Sequence, residues 1–571
     1  MNGGERPSGA GLCTESELGD AFPSAASVLE QFAAIAAPRK RKLLFSLLQV
    51  LGIVRAAETG RQGMIRQAAN GINPFDLHVV PDGFGGILPE FSFSILFDRT
   101  TDLPLQRAAK LLLAALEYRE RLRSASSGGV GWERQRHIFG RVVNLRRAGM
   151  KWRRTVKDCT DSAHIAVAAR GHYYLLEVLD AAGSILPAAQ LLSGLAAIRK
   201  AAAGETAAPS HYGLLTANMA RASAAVFHAV PPDPSIAAID DAILLMAMDD
   251  DVFPRDANEA ARLLHFGDLR NRDYRKALQL VVLGNGWSGG NFNLFAGIEG
   301  APGVEFAAWI PGRALAMADI DATPAQAAIC RRLAFDTVAF ASLPLPHLQR
   351  GIDRYRCDLP LIKTIDSFGK EDIKRLNVSP DAFFHAAAHL AYFDAFKRPP
   401  TVHGFSDIRR HRFQSITRHL STTPEMLAFL HTRTKPALIA ALEAHGRQAA
   451  AVKAGNFPVH FVFFYLFTKP GPRSLLAMLL FRMFIPRALA TYASPDIWAS
   501  NIPAVPGIHA VGRFGTYFKM VRRNCLAGHY LLFPDCIRIC FLSRDDRILR
   551  GGWQFERALA QAIATLRRIL S

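Results

Sequence analysis

Two lysines four residues apart open the segment with the most legible chemistry, GKEDIKRLNVSPDAFFHAAAHLAYF from Gly369 to Phe393. Lys370 and Lys374 are one helical turn apart, a spacing at which two ammonium groups clamp one polyanion. Ser379-Pro380-Asp381 then reads as a helix start: a hydroxyl N-cap, proline at the first helical position and a carboxylate at the positive helix end. Phe383, Phe384, Ala387, Leu390, Ala391 and Tyr392 follow at helical spacing, which predicts a buried face. Three other patterns carry competing chemistry. Gly286-Trp287-Ser288-Gly289-Gly290 satisfies the GxSxG of a nucleophile elbow, but that motif needs strand, sharp turn and helix. Here the flanks read as two strands, which predicts a hairpin. His403 and Asp407 have the HxxxD spacing of a base and its orienting carboxylate. The cations of IRRHRFQSITRH (408–419) suit phosphate, yet they match no nucleic-acid module, so no nucleic-acid partner is expected.

The elements around these residues alternate in type. Helices are predicted over 25–70, with PRKRK (38–42) as a basic turn, followed by an extended segment at 76–97 and a helix at 104–123. Ser124–Gly131 is a Gly/Ser-rich break. A hairpin is predicted within 164–180 around Ala169-Arg170-Gly171, and a second joins 276–283 to 291–297 through GNGWSGG. Helical patterns cover 187–203, 235–249, 257–265 and 323–342. The remainder reads as a long helix at 424–453, a hairpin within 529–543 and a closing helix at 553–570. Strands and helices mixed through two similar halves predict an α/β architecture.

With these residues in place, the chain resembles the carnitine/choline O-acyltransferase family. The pattern of lysine, three residues, lysine, then Ser-Pro-Asp-Ala-Phe and Leu-Ala-Tyr resembles that family's coenzyme A segment. DLPLQRAAKLLLAALEYRERL (102–122), RQRHIFG (134–140), HIAVAARGHYYLLEVLD (164–180) and LLHFGDLRNRDYRKALQLVVLGNG (263–286) match in kind and order. So does RPPTVHGFSDIRRHRFQSITRHLSTTPEMLAF (398–429). The resemblance implies two domains, each a mixed β-sheet with flanking helices, of the coenzyme A-dependent acyltransferase type, with the active site in an inter-domain tunnel. It implies a tail at 1–24, helices at 25–90 packing on the second domain, a first domain at 91–338 and a second, coenzyme A-binding domain at 339–571. It implies that Lys370 and Lys374 hold the 3′-phosphate of coenzyme A or acyl-CoA, that Asp381 helps position the adenine end, and that the protein is a monomer.

The same comparison places an apolar residue at the reacting centre. Acyl transfer to a hydroxyl needs a base for the proton and a donor for the oxyanion. The family's "EHxxxDG" falls on Phe292–Gly300, with Asn293 at the glutamate and Leu294 at the catalytic histidine. No histidine lies between His265 and His347 to replace it. The family's acceptor tyrosine falls on His403, and its "STS" hydroxyl cluster on Ala499-Ser500-Asn501. This leaves His403, Ser500 and Asn501 as the candidate acceptor and oxyanion groups. Three readings follow: a coenzyme A-binding member without the usual base; an acyltransferase for another acceptor, such as an amine, with His403 as a relocated base; and a scaffold or membrane-peripheral protein.

Bulk composition narrows the setting. The 571 residues carry 68 Lys/Arg against 49 Asp/Glu, a formal charge of +19, which suits an anionic partner. Seven widely spaced cysteines with no CxxC pair imply neither zinc nor a disulfide framework, so no metal is expected and a reducing, cytoplasmic setting fits. The first twenty residues lack a basic-then-apolar pattern and carry acidic groups, unlike secretory or mitochondrial leaders. FPVHFVFFYLF and LLAMLLFRMFI within 457–485 are each too short to span a bilayer of about 20 apolar residues. They read as buried helices, with a membrane-surface hairpin as the alternative that would make the protein peripheral to a membrane.

Overall fold

The computed structural model describes residues 22–36, 40–69, 79–80, 89, 92–124, 137–148, 151–159, 161–218, 227, 233–296, 298, 300–321, 327–335, 340, 343–356, 359–366, 368–407, 416–455, 461–462, 465–466, 472–484, 495–512, 526–543 and 554–571. Two mixed sheets with helices packed on them make an α/β fold. The first has eight strands in the order β10-β6-β5-β7-β8-β9-β2-β15. In chain order these are β2 (Ser92–Phe97), β5 (His164–Ala169), β6 (His172–Glu177), β7 (Leu245–Asp249), β8 (Leu278–Leu283), β9 (Ser288–Asn293), β10 (Cys330–Arg332) and β15 (Ile508–Gly512). The run β5-β7-β8 is parallel and the outer pairings are antiparallel. A small antiparallel ribbon is formed by β1 (Val79–Val80), β3 (Arg141–Ala148) and β4 (Lys151–Asp158).

The second sheet has six strands in the order β11-β17-β16-β14-β12-β13. They are β11 (Leu359–Ile365), β12 (Val402–Asp407), β13 (Ile416–Leu420), β14 (Ile497–Ile502), β16 (Leu526–Leu532) and β17 (Ile537–Ser543). Parallel β12-β14-β16 form its centre. The helices Pro380–Phe396, Pro424–Thr432, Lys435–Lys453 and Gln554–Leu570 close one apolar core with it. Among the described residues the sheets are joined by shared apolar clusters, by a strand and by a helix. β15 comes from the second half of the chain yet pairs with β2 of the first sheet. The Ala257–Phe266 helix contacts β2, β8 and β9 on one side and β11 on the other.

All three predicted hairpins form, as the antiparallel pairs β5–β6, β8–β9 and β16–β17. Arg170 (φ 52°) and Gly171 (φ 82°) make the β5–β6 turn. Ser288 of the GxSxG pattern starts β9 of a hairpin, and a helix does not follow it, so it is no elbow. Three predicted helices are corrected. The 235–249 segment is helical only over Pro234–Asp241, because Ala242 is extended and Leu245–Asp249 continues as the central strand β7, with every residue buried. A short run buried on both sides of a sheet has no amphipathic period to distinguish it from helix. Within the predicted helix at 323–342, Cys330–Arg332 is an edge strand on β6. The 424–453 helix is two helices, broken at Arg433 (φ 53°) in the left-handed region.

The helices Ala25–Ala36, Arg41–Val50 and Ile53–Ala69 share an apolar cluster with Phe461, Val462, Tyr465, Leu466, Ala477, Leu480 and Phe481. A Cβ on Gly60 would lie 2.0 Å from the Tyr465 carbonyl oxygen, so the first chain segment and the 461–481 region touch backbone to backbone. The described part of 457–485 is thus largely buried against the N-terminal helices, while Leu475 and Leu479 remain exposed; 457–460, 463–464, 467–471 and residue 485 lie outside the described residues. Among the described residues no single helix is long and apolar enough to cross a membrane, though the bent pair Arg41–Val50 and Ile53–Arg66 has the length and composition.

Candidate functional site

Gly369 ends the chain's run out of β11, and a side chain there would collide with the backbone of Pro534–Cys536. Its N–H is taken by Asp372 Oδ2 at 2.9 Å, which starts the short helix Lys370–Arg375. Lys370 and Lys374 are both exposed on that helix, and Lys374 Nζ pairs with Glu371 at 2.9 Å. After a left-handed Asn377, Ser379 caps the Pro380–Phe396 helix through a 3.4 Å bond from the Ala382 N–H. The lysine pair and the capped helix therefore form as their spacing predicts.

Asp381 faces inward more than its place beside the lysines suggests. Its Oδ2 accepts from His445 Nε2 at 2.9 Å, and its Oδ1 accepts from Asn501 Nδ2 at 3.2 Å and from the Tyr530 hydroxyl in a short bond. Burial opposes its ionisation, but the His445 hydrogen bond, the nearby imidazoles and Tyr530 outweigh that and hold its pKa far below the usual carboxylate range. Burial, with Asp381 beside it, raises the Tyr530 pKa well above its ordinary value. Two expected site residues, Asp381 and Asn501, are thereby brought together.

The other expected residues fall elsewhere. Successive residues of a strand alternate between its faces. On β12 and β14, Asn501 and Gly404 look toward the Pro380–Phe396 helix, whereas His403 and Ser500 share the opposite face with Phe405 and Trp498. Phe405 and Trp498 have ring centroids 6.0 Å apart there, and Arg418 lies over Trp498. His403 is wholly buried, and burial first, then Arg418 and His419, pushes its pKa well below 6.5. Ser500 is buried opposite His529 of β16. Leu294 follows β9 directly in a 3-10 turn and packs against the cluster that holds Ile502 and Leu531 of the second sheet. Arg409, Arg410 and residues 412–415 lie outside the described residues.

Three histidines that spacing does not single out lie together, His385, His419 and His445, the last of them bonded to Asp381. Only His385, one turn beyond Asp381 on the same helix, carries a local signal. The first half holds a second buried polar set. Arg272 bonds Asp249 at 2.8 Å and caps the carbonyls of Leu263 and Leu264, while Ser94 joins His265 and Asn291, each at 2.6 Å. His265 is fully buried, and its Nε2 lies 3.1 Å from the Pro89 carbonyl.

A model of the choline/carnitine O-acyltransferase family matches residues 85–561. The choline O-acetyltransferase of Danio rerio is 25% identical over 308 residues, 51% of this chain and 48% of that protein. The carnitine O-acetyltransferase of Columba livia is 24% identical over 296 residues, 49% of this chain and 46% of that protein. The matched stretch thus spans about half the length of the curated relatives. A wax ester synthase/diacylglycerol acyltransferase from Marinobacter aquaeolei aligns over 84% of this chain and 94% of its own at 9% identity, with a TM-score of 0.34.

Proposed function

The chain belongs to the choline/carnitine O-acyltransferase family, and from that premise we propose that it binds coenzyme A or acyl-CoA without performing the family's base-catalysed transfer. Leu294 carries this reading. It is an aliphatic side chain in the turn right after β9, where the resemblance implies a histidine, and an aliphatic group cannot accept a proton. General base catalysis contributes roughly 10²–10⁴-fold, so its loss removes most family-type turnover. His265, the histidine nearest before it in sequence, is buried and engaged with Ser94, and His403 is wholly buried in the second sheet. Binding and chemistry rest on different groups, so a nucleotide site can persist without the base.

The exposed pair Lys370 and Lys374, one turn apart, supports recognition of a phosphate group at the mouth of an inter-domain tunnel of the family type. Titration calorimetry with coenzyme A, acyl-CoA and dephospho-coenzyme A tests this on the parent protein and Lys370→Ala/Lys374→Ala. Thiol release is assayed alongside with carnitine, choline and a panel of amines. Binding that the double variant loses, with no thiol release, is the expected result. Thiol release abolished by His403→Ala would show a relocated base instead, and absence of binding to the parent would refute the coenzyme A site.

A further inference from the structure

β12 and β13 pair so that Gly404 stands opposite His419. A Cβ on Gly404 would lie 2.4 Å from His419 Nε2, 2.5 Å from His419 Cε1 and 3.1 Å from His385 Cε1. Two imidazoles therefore occupy the space that any side chain at 404 would need. His385 and His445 come down from the two helices above, their ring centroids 4.5 Å apart, with His419 and His445 at 5.1 Å. One ring nitrogen from each of the three lies within 4.8 Å of the others. All three residues are at most 3% exposed. Among the described residues His385 Nδ1 and His419 Nε2 have no hydrogen-bond partner, although buried polar atoms in folded proteins nearly always have one.

We propose that His385, His419 and His445, with Asp381 as fourth ligand, form a buried tetrahedral site for a divalent transition metal of the zinc type. Three imidazoles and one carboxylate, without thiolate, are a donor set for zinc and its neighbours, whereas calcium and magnesium take oxygen. Zinc–nitrogen bonds of about 2.0–2.1 Å place tetrahedral ligand atoms about 3.3 Å apart. Asp381 Oδ2 and His445 Nε2 already stand at 2.9 Å, and one nitrogen from each of the three rings lies within 4.8 Å of the others, so a bound ion would draw the rings together.

The surrounding hydrogen bonds are those that a metal site requires. His419 Nδ1 meets Ser406 Oγ at 3.0 Å, and His445 Nδ1 meets Ser421 Oγ at 3.0 Å, which leaves the opposite nitrogen of each ring toward the centre. Tyr530 and Asn501 hold Asp381 Oδ1, which leaves Oδ2 for the ion. With four protein ligands the site is closed. Its role is to tie the Pro380–Phe396 and Lys435–Lys453 helices to the β12–β13 hairpin, independently of coenzyme A binding.

The test uses the full chain, purified without a metal-affinity tag, stripped with a chelator and titrated with Zn(II) or Co(II). One zinc per chain by elemental analysis, a higher unfolding midpoint with zinc, and the visible absorption of tetrahedral Co(II) are expected. The folded double variant His385→Gln/His419→Gln should lose the stoichiometric site. Ser421→Ala, which removes only an outer hydrogen bond, should weaken zinc by about 10–100-fold. Absence of a tetrahedral Co(II) band in the parent protein overturns the proposal, even if every variant fails to fold. Full retention of the band in the double variant also overturns it, because zinc is then held elsewhere.

Discussion

Asp381 offers the sharpest separation of a coenzyme contact from a group that holds the fold. Replacing it with alanine strands two buried donors, the Tyr530 hydroxyl and His445 Nε2, while the exposed Asn501 can turn to water. An orphaned buried polar group costs about 1–3 kcal/mol, so the pair amounts to about 2–6 kcal/mol. The lost carboxylate at the helix start adds about 0.3–1 kcal/mol, and relief of its own partial burial offsets part of the sum. The net expectation is a loss of about 3 kcal/mol, with Asp381→Asn intermediate because it keeps one acceptor oxygen. Urea unfolding at pH 7 in the presence of a chelator measures this without any metal contribution. Hydrogen exchange of the Pro380–Phe396 helix and β16 localises it. A variant within about 0.5 kcal/mol of the parent, the range of ordinary surface changes, would refute the reasoning and restore Asp381 to a solvent-facing ligand role.

Three other outcomes are expected. Lys370→Ala/Lys374→Ala should unfold within about 0.5 kcal/mol of the parent, since both side chains are exposed, while losing more affinity for coenzyme A than for dephospho-coenzyme A; differential scanning calorimetry checks the first and titration the second. Asp98 joins β2 to β15 by bonding His509 at 3.0 Å and the Gly507 N–H at 3.1 Å, with Arg538 nearby, and these groups hold its pKa low against burial. A depressed pKa contributes stability that is present above the unfolded value near 3.9 and lost as pH falls through the folded value, so Asp98→Asn should flatten the acid limb below about pH 4. With 41% of its side chain exposed, the effect stays below about 1 kcal/mol, read from unfolding midpoints between pH 6 and pH 3. Gly60→Ala forces a methyl group against the Tyr465 carbonyl, and overpacking of about 1–3 kcal/mol should release the N-terminal helices to limited proteolysis well before the two sheets.

Local grammar determined much of this protein. Ser379-Pro380 starts a helix because its hydroxyl caps the Ala382 N–H, Arg170-Gly171 turns a hairpin because glycine tolerates positive φ, and Lys370 and Lys374 share a helical face because they are four apart. Family membership was legible because motifs recur in order along the chain, and the α/β class because the two periods alternate. Where periodicity vanished, the reading failed: Leu245–Asp249 is buried on both faces of its sheet, so nothing in its pattern distinguishes strand from helix. Only the tertiary structure decided what non-adjacent segments do together. β15, more than 400 residues after β2, completes the first sheet through backbone hydrogen bonds that no side-chain pattern announces. His385, His419 and His445 stand 34 and 26 positions apart in sequence, on a helix, an edge strand and a second helix. They converge because Gly404 leaves room for two rings and Asp381 is turned inward beside them. Spacing rules register neighbours within one element, whereas this cluster is a property of how elements pack.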